Sequence, residues 1–119
     1  MRLRQAPLAL LLALVMLAGA ASAAWAQSAY LAGIYDSKGT NPDGSGYTGT
    51  AIIEHHAGLL SVEWNINGER FLGFGKVSKS QLLVNWGEQN LVIYDITEGG
   101  RVLRGSWGGG RGTDVLTRR

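Results

Sequence analysis

Residues 60–68 read LSVEWNING, and the first seven of them alternate between apolar and polar side chains. Successive side chains of a strand point to opposite faces, so a period of two with one polar face predicts a half-buried antiparallel strand. The dipeptide Asn67-Gly68 that follows most readily adopts the positive φ angles of a type I′ turn. The apolar face of the predicted strand consists of Leu60, Val62, Trp64 and Ile66.

Similar strand patterns continue on both sides of this hairpin. The connections between them carry Gly, Asn, Asp or Ser, as tight turns require. No stretch combines sustained helical periodicity with a start and a stop signal, so residues 27–119 are predicted to form a single all-β domain. The predicted strands are Gly33–Ser37, Thr48–Glu54, Leu60–Ile66, Arg70–Val77, Gln81–Trp86, Leu91–Ile96, Val102–Trp107 and Thr113–Thr117.

The short connections also indicate how the strands are arranged. They join only neighbouring strands, which favours an up-and-down meander over a Greek key. A meander that closes on itself removes its exposed edges, which matters in a chain without Cys and therefore without disulfides. We predict a small antiparallel up-and-down β-barrel of about eight strands, whose interior holds side chains or one small ligand. The alternative is an open two-sheet sandwich of the same strands.

The N-terminal region has the three parts of a secretory signal peptide. Arg2 and Arg4 precede an apolar run from Leu8 to Ala21, and Ala24-Trp25-Ala26 forms an A-x-A cleavage site. The run is shorter than the roughly 20 apolar residues that a membrane helix needs. We therefore expect residues 1–26 to be cleaved, no membrane span to remain, and the mature domain to be periplasmic or secreted.

Charge excludes one class of partner. The leader contains Arg2 and Arg4 of the 11 basic residues and none of the 9 acidic ones, so the mature chain is formally neutral. A neutral domain lacks the positive field that nucleic-acid binding usually needs, and we expect no nucleic-acid partner. The basic residues that cluster after Gly99 are interpreted as solvated turn residues and a fraying terminus. They are Arg101, Arg104, Arg111, Arg118 and Arg119. The alternative is a small basic face that binds an anionic glycan, lipopolysaccharide or an acidic protein.

Three tryptophans recur at spacings of 22 and 21 residues within similar strand patterns. We expect all three on the inner face, where indoles either line a ligand cavity or, more commonly, fill the core. Three tyrosines are candidates to offer hydroxyl groups to a ligand. The candidate ligand-binding residues are Tyr35, Tyr47, Trp64, Trp86, Tyr94 and Trp107.

Motifs for chemistry are scarce. His55 and His56 are adjacent, so on a strand they point to opposite faces and cannot chelate one metal ion. Residues 44–49 fit G-x-G-x-x-G by letter but lack the parallel strand and helix of a dinucleotide site, and residues 108–112 read as a hairpin tip. No acid is clearly placed inward by pattern, whereas a barrel enzyme would need an interior acid with a raised pKa. We predict no metal, no cofactor and no enzymatic activity.

A series of glycine and aromatic motifs extends along nearly the whole mature chain. The motifs are Gly33-x-Tyr35, Gly39-x-Asn41-Pro42-x-Gly44-x-x-Tyr47-x-Gly49, Trp64, Gly73-x-Gly75, Val84-x-Trp86-Gly87, Val92-x-Tyr94, Leu103-x-Gly105-x-Trp107 and Gly112-Thr113-x-x-Leu116. Their order resembles a group of small secreted bacterial domains, some of which carry a fibronectin-binding label. In outline the meander is also similar to calycin barrels such as avidins and lipocalins. The resemblance transfers no catalytic residue, and Asp114 stands where similar sequences are expected to have Glu.

Three functional hypotheses follow. The leading one is an exported, non-enzymatic binding module, which takes a small apolar or glycan-like ligand in the barrel mouth or an extracellular or envelope protein or glycan through its outer face or loops. The second is a structural or inhibitor protein of the cell envelope, whose barrel interior is filled. The third is a small barrel enzyme that uses a buried carboxylate or tyrosine.

Overall fold

A computed structural model describes residues 28–119, so the expected signal peptide and its cleavage site lie outside the described residues. A 3₁₀ turn spans Glu98–Gly100. Among residues 28–119, no helix has the length and hydrophobicity needed to cross a membrane. The strands are β1 Gly33–Thr40, β2 Gly46–His56, β3 Leu59–Ile66, β4 Glu69–Ser78, β5 Gln81–Asn85, β6 Val92–Thr97, β7 Val102–Trp107 and β8 Gly112–Arg118.

The eight strands form a closed antiparallel barrel in chain order. Each strand pairs with the next, and β8 closes the barrel by pairing with β1 from Tyr35↔Arg118 to Thr40↔Thr113. The predicted up-and-down barrel is confirmed, and the open sandwich is excluded. Strands β2 and β4 are longer than predicted because their hairpins stay paired up to the turn, as in His56↔Leu59.

The hairpin at residues 60–68 has the predicted alternation. Leu60 and Val62 are fully buried and Trp64 is nearly so. On the outer face of β3, Glu63 forms an ion pair with Arg70 of β4. The turn residues have φ angles of 53° at Asn67 and 79° at Gly68, as a type I′ turn requires.

Glycines within the strands make room for inner aromatic rings. A Cβ at Gly105 would lie 2.5 Å from a ring carbon of Tyr94, and one at Gly112 would lie 2.4 Å from the indole of Trp107. These distances are far below van der Waals contact, so any larger residue would displace the ring. The aromatic side chains therefore lie against the backbone of the neighbouring strand, which holds them close to the barrel wall.

Residues 28–32, which we call the N-terminal segment, cover the end of the barrel where β1 begins and β8 ends. Leu31 is fully buried there and belongs to the core. The Tyr35 hydroxyl donates to the Leu31 carbonyl at 2.6 Å. The Arg118 guanidinium donates to the Ala32 carbonyl at 2.9 Å and to the Tyr35 hydroxyl at 2.8 Å. We call this the closed end of the barrel.

The expectation of a fraying C-terminus is wrong for Arg118 and Arg119. Arg118 is the last residue of β8, and its side chain donates a hydrogen bond to the Ala32 carbonyl of the N-terminal segment. The backbone N–H of Arg119 donates to the Ile34 carbonyl at 3.0 Å, and its side chain forms an ion pair with Asp36 at 2.9 Å. The terminus is held in place because β8 pairs with β7 on one side and with β1 on the other.

Candidate functional site

The opposite end of the barrel holds a cavity of about 360 Å³. It opens between the loops that follow β1, β3, β5 and β7. Its walls are mainly aromatic, and we call it the aromatic cavity. The aromatic residues that line it are Tyr47, Trp64, Phe71, Trp86, Tyr94 and Trp107.

The strand pattern positions the three tryptophans at different depths. Trp64 lies within β3 and is only 6% exposed. Trp86 directly follows β5, and Trp107 is the last residue of β7, so both lie nearer the mouth and are only half-buried. All three line the cavity and pack with the core, which confirms their predicted inner-face location.

Four rings around the mouth contact one another edge to face. Phe71 and Trp86 have ring centroids 6.3 Å apart with an interplanar angle of 65°. Trp86 and Trp107 are 6.0 Å apart and nearly perpendicular, at 85°. Trp107 and Tyr47 are 6.4 Å apart at 63°. These spacings and angles are favourable for aromatic pairs, so the rings support each other as a continuous wall.

The indole N–H groups of this wall are used inside the protein. Trp86 donates its N–H to the Asn90 carbonyl at 3.1 Å, within its own loop. Trp107 donates to the Thr113 carbonyl at 3.1 Å across the β7–β8 hairpin. These bonds fix the orientation of both rings. They also leave the cavity with aromatic carbon surface rather than with free N–H donors.

A buried hydrogen-bonded group forms the base of the cavity. The Tyr94 hydroxyl donates to Asp114 Oδ2 at 2.5 Å and accepts the Trp64 N–H at 2.9 Å. Ser37 Oγ donates to Asp114 Oδ1 at 2.7 Å. Asp114 is 2% exposed and Ser37 is likewise buried. The four side chains join β1, β3, β6 and β8 across the barrel interior and place one carboxylate beneath the aromatic rings.

Burial is the largest cause of the pKa shifts of Asp114, Tyr94 and Tyr47. It raises the pKa of the Asp114 carboxyl above its usual range, although hydrogen bonds from Ser37 and Tyr94 act in the opposite direction. The pKa of the Tyr94 hydroxyl is raised, first by burial and then by the Asp114 charge, and the pKa of Tyr47 is raised by the same two causes. Both phenols therefore stay protonated near neutral pH and act as neutral hydrogen-bonding groups.

Five of the six predicted ligand residues line the cavity together: Tyr47, Trp64, Trp86, Tyr94 and Trp107. The sixth, Tyr35, is fully buried at the closed end and hydrogen-bonded to the N-terminal segment. Burial alternates along β1, and Tyr35 faces inward. Alternation carries no information on height along the barrel axis, which is what separates this side chain from the others.

Sequence reasoning missed Asp114, Ser37 and Phe71 as parts of the site. The signal for Asp114 is present in β8, where Gly112, Asp114 and Leu116 are all buried on one face. Extending the alternation to this strand would have placed the acid inward. A charged residue at an inward strand position is a signal for a functional or structural role, because such groups are rarely fully buried without partners.

The histidine pair lies far from this cavity in β2. His56 Nε2 lies 3.3 Å from a Glu54 carboxylate oxygen on an exposed surface. Within residues 28–119, no group of three or more His, Cys, Asp or Glu side chains is arranged to hold a metal ion. Gly108, Gly109 and Gly110 form the turn between β7 and β8 with positive φ angles, as predicted for a hairpin tip.

No protein-family model, no curated protein and no solved structure matches the chain. The resemblance to small secreted bacterial domains and to calycin barrels therefore stays a prediction.

Proposed function

We propose that the protein is an exported, non-enzymatic binding module that holds a small ligand in the aromatic cavity, in the periplasm or outside the cell. The observation that carries this proposal is an open cavity of about 360 Å³ with aromatic walls above a single buried carboxylate. Ligand sites are typically concave and apolar, with a few fixed polar groups that orient the ligand, and their volumes start at about 300 Å³.

The polarity of the walls supports displacement of water by a ligand. The cavity has the volume of about a dozen liquid waters, at roughly 30 Å³ each. The Trp86 and Trp107 N–H groups already have protein acceptors, so water beside these rings finds few hydrogen-bond partners. An apolar ligand that displaces such water gains free energy without breaking strong hydrogen bonds.

The same observations weigh against the two alternative hypotheses. An envelope protein with a filled core would have no space for even a few waters, which a cavity of about 360 Å³ provides. A barrel enzyme needs an interior acid with a raised pKa, and Asp114 meets that condition. However, each Asp114 oxygen already accepts a hydrogen bond, from Ser37 or Tyr94, which supports a fixed structural and ligand-orienting role.

The test is the intact mass of the protein purified from the cells that produce it, measured under non-denaturing conditions. We expect extra mass that disappears on denaturation, and much less of it in Trp107→Leu. Phe74→Leu is the matched control, because Phe74 is an aromatic residue 53% exposed on the outer face. Equal extra mass in Trp107→Leu and in the control would contradict binding in the cavity.

A protein partner is the second candidate, favoured by one feature of the outer surface. Ile34, Ile52, Leu72 and Phe74 are between 38% and 53% exposed on β1, β2 and β4, and we call them the outer apolar patch. Exposed apolar residues grouped on neighbouring strands are typical of protein-binding surfaces, and here Ser61 and Glu63 of β3 lie between those of β2 and β4. If this patch is the functional surface, Phe74→Glu abolishes partner binding while Trp107→Leu leaves it unchanged.

A further inference from the structure

We infer that the ligand of the aromatic cavity is a small organic cation, of the substituted-ammonium class. The inference rests on the proposed function and adds the charge of the ligand to it. Three independent features of the cavity lead to it: the arrangement of the rings, the sign of the charges that line it, and the shortage of hydrogen-bond donors.

The first feature is the arrangement of the four rings around the mouth. Phe71, Trp86, Trp107 and Tyr47 form a chain in which each neighbouring pair is inclined by 63° to 85°. Rings that meet at such angles enclose a space in which a guest contacts the face of at least one ring. The faces of aromatic rings carry negative charge density, and a cation close to them is stabilised by about 0.5–2 kcal/mol.

The charged residues that line the cavity are all acidic. Asp114 lies at its base and Glu69 at its mouth, and no Lys, Arg or His is among the described residues that line it. A bound anion would therefore meet like charge without a compensating cation. A bound cation gains favourable Coulomb interactions with both side chains. The interaction with buried Asp114 is strengthened by its surroundings, which are less polar than water, whereas Glu69 is exposed to solvent.

The aromatic residues of the cavity also offer few free hydrogen-bond donors, although the side-chain amides of Asn41 and Asn67 line the cavity as well. The three tryptophan N–H groups donate to protein acceptors, and the hydroxyls of Tyr47 and Tyr94 donate to the Thr113 carbonyl and to Asp114. Anions and carbonyl-rich ligands depend on such donors for recognition. A substituted ammonium needs none, since the rings and carboxylates recognise its charge directly.

The experiment compares a cationic and a neutral probe of the same shape, together with a third, aromatic probe. Choline and 3,3-dimethylbutan-1-ol differ by replacement of the positively charged nitrogen with a neutral carbon, and naphthalen-2-ol serves as a neutral aromatic probe. Each is titrated into the purified protein by isothermal calorimetry. We expect choline to bind at least tenfold more tightly than its neutral isostere. Trp86→Leu and Glu69→Gln are each expected to lower the affinity for choline at least threefold, and Phe74→Leu is expected to leave this affinity unchanged.

The outcomes separate the inference from the proposed function. Equal or tighter binding of the neutral isostere overturns the cation inference and leaves the cavity as a ligand site. If only naphthalen-2-ol binds, the cation inference is likewise overturned and the cavity remains a ligand site. If none of the three probes binds, both the inference and the proposed function are overturned. Because Glu69 is exposed at the mouth, Glu69→Gln tests the charge contribution without disturbing the buried core.

Discussion

The hydroxyl group of Tyr94 is expected to contribute more to stability than any other single oxygen at the base of the aromatic cavity. It is fully buried, donates to Asp114 at 2.5 Å and accepts the Trp64 N–H at 2.9 Å. The substitution Tyr94→Phe keeps the ring that packs against Gly105 and removes only these two hydrogen bonds.

The size of the effect follows from the groups left behind. Tyr94→Phe leaves one buried carboxylate oxygen and one buried indole N–H without their partner, at about 1–3 kcal/mol each. We expect a loss of about 3 kcal/mol in the free energy of unfolding, out of roughly 5–14 kcal/mol for a domain of this size. The corresponding drop in Tm is about 12–24 °C.

The assay is urea denaturation followed by tryptophan fluorescence, together with thermal denaturation. Tyr30→Phe is the matched control, because it removes the hydroxyl of a side chain that is 45% exposed. It should change the free energy of unfolding by less than about 0.5 kcal/mol. A loss in Tyr94→Phe below about 1 kcal/mol, or one equal to that of the control, would refute the claim that this hydroxyl joins the buried group.

Three further predictions test other parts of the account. Gly105→Ala should destabilise the protein by about 1–3 kcal/mol in urea denaturation, because its Cβ meets a ring carbon at 2.5 Å, whereas Gly46→Ala, which has no contact closer than 3.8 Å, should be close to neutral. Arg118→Ala should cost about 2 kcal/mol and speed amide exchange in the N-terminal segment, and exposed Arg104→Ala should do neither. Since burial raises the pKa of Asp114, the folded protein binds its proton more tightly than the unfolded chain does. Wild-type stability should therefore rise relative to Asp114→Asn as pH falls through the folded pKa toward 3.8, and a pH-independent difference would contradict this.

The barrel was predictable because its signals are local. In a strand with one buried face, burial recurs at every second residue, as at Leu60, Val62 and Trp64. Each tight turn contains a residue type that tolerates the φ angle the turn requires, as at Asn67. Short loops then allow only neighbouring strands to pair. These rules need no knowledge of distant residues, so the strand count, the strand order and the inward direction of Trp64, Trp86 and Trp107 follow from the sequence.

The composition of the site was less predictable because it depends on position along the barrel axis. Tyr35 and Tyr94 have the same inward pattern, yet one lies at the closed end and the other at the base of the cavity. The difference comes from strand direction. Tyr35 lies near the start of β1 at the closed end, whereas Tyr94 lies near the start of β6, which runs the opposite way from the mouth of the cavity, and alternation alone does not encode this. The partners of Asp114 and Arg118 are likewise distant in the chain, at Ser37 and Tyr35, and meet only when β8 pairs with β1.

The most direct test of the central claim is a pair of nuclear magnetic resonance titrations of the purified protein, one with choline and one with naphthalen-2-ol. The claim that the aromatic cavity is the ligand site predicts that at least one probe causes saturable shifts of the Trp86 and Trp107 indole N–H signals. It also predicts unchanged backbone amide signals at Ile52 and Phe74 of the outer apolar patch. The absence of any saturable shift with both probes, or shifts confined to the outer apolar patch, would contradict it.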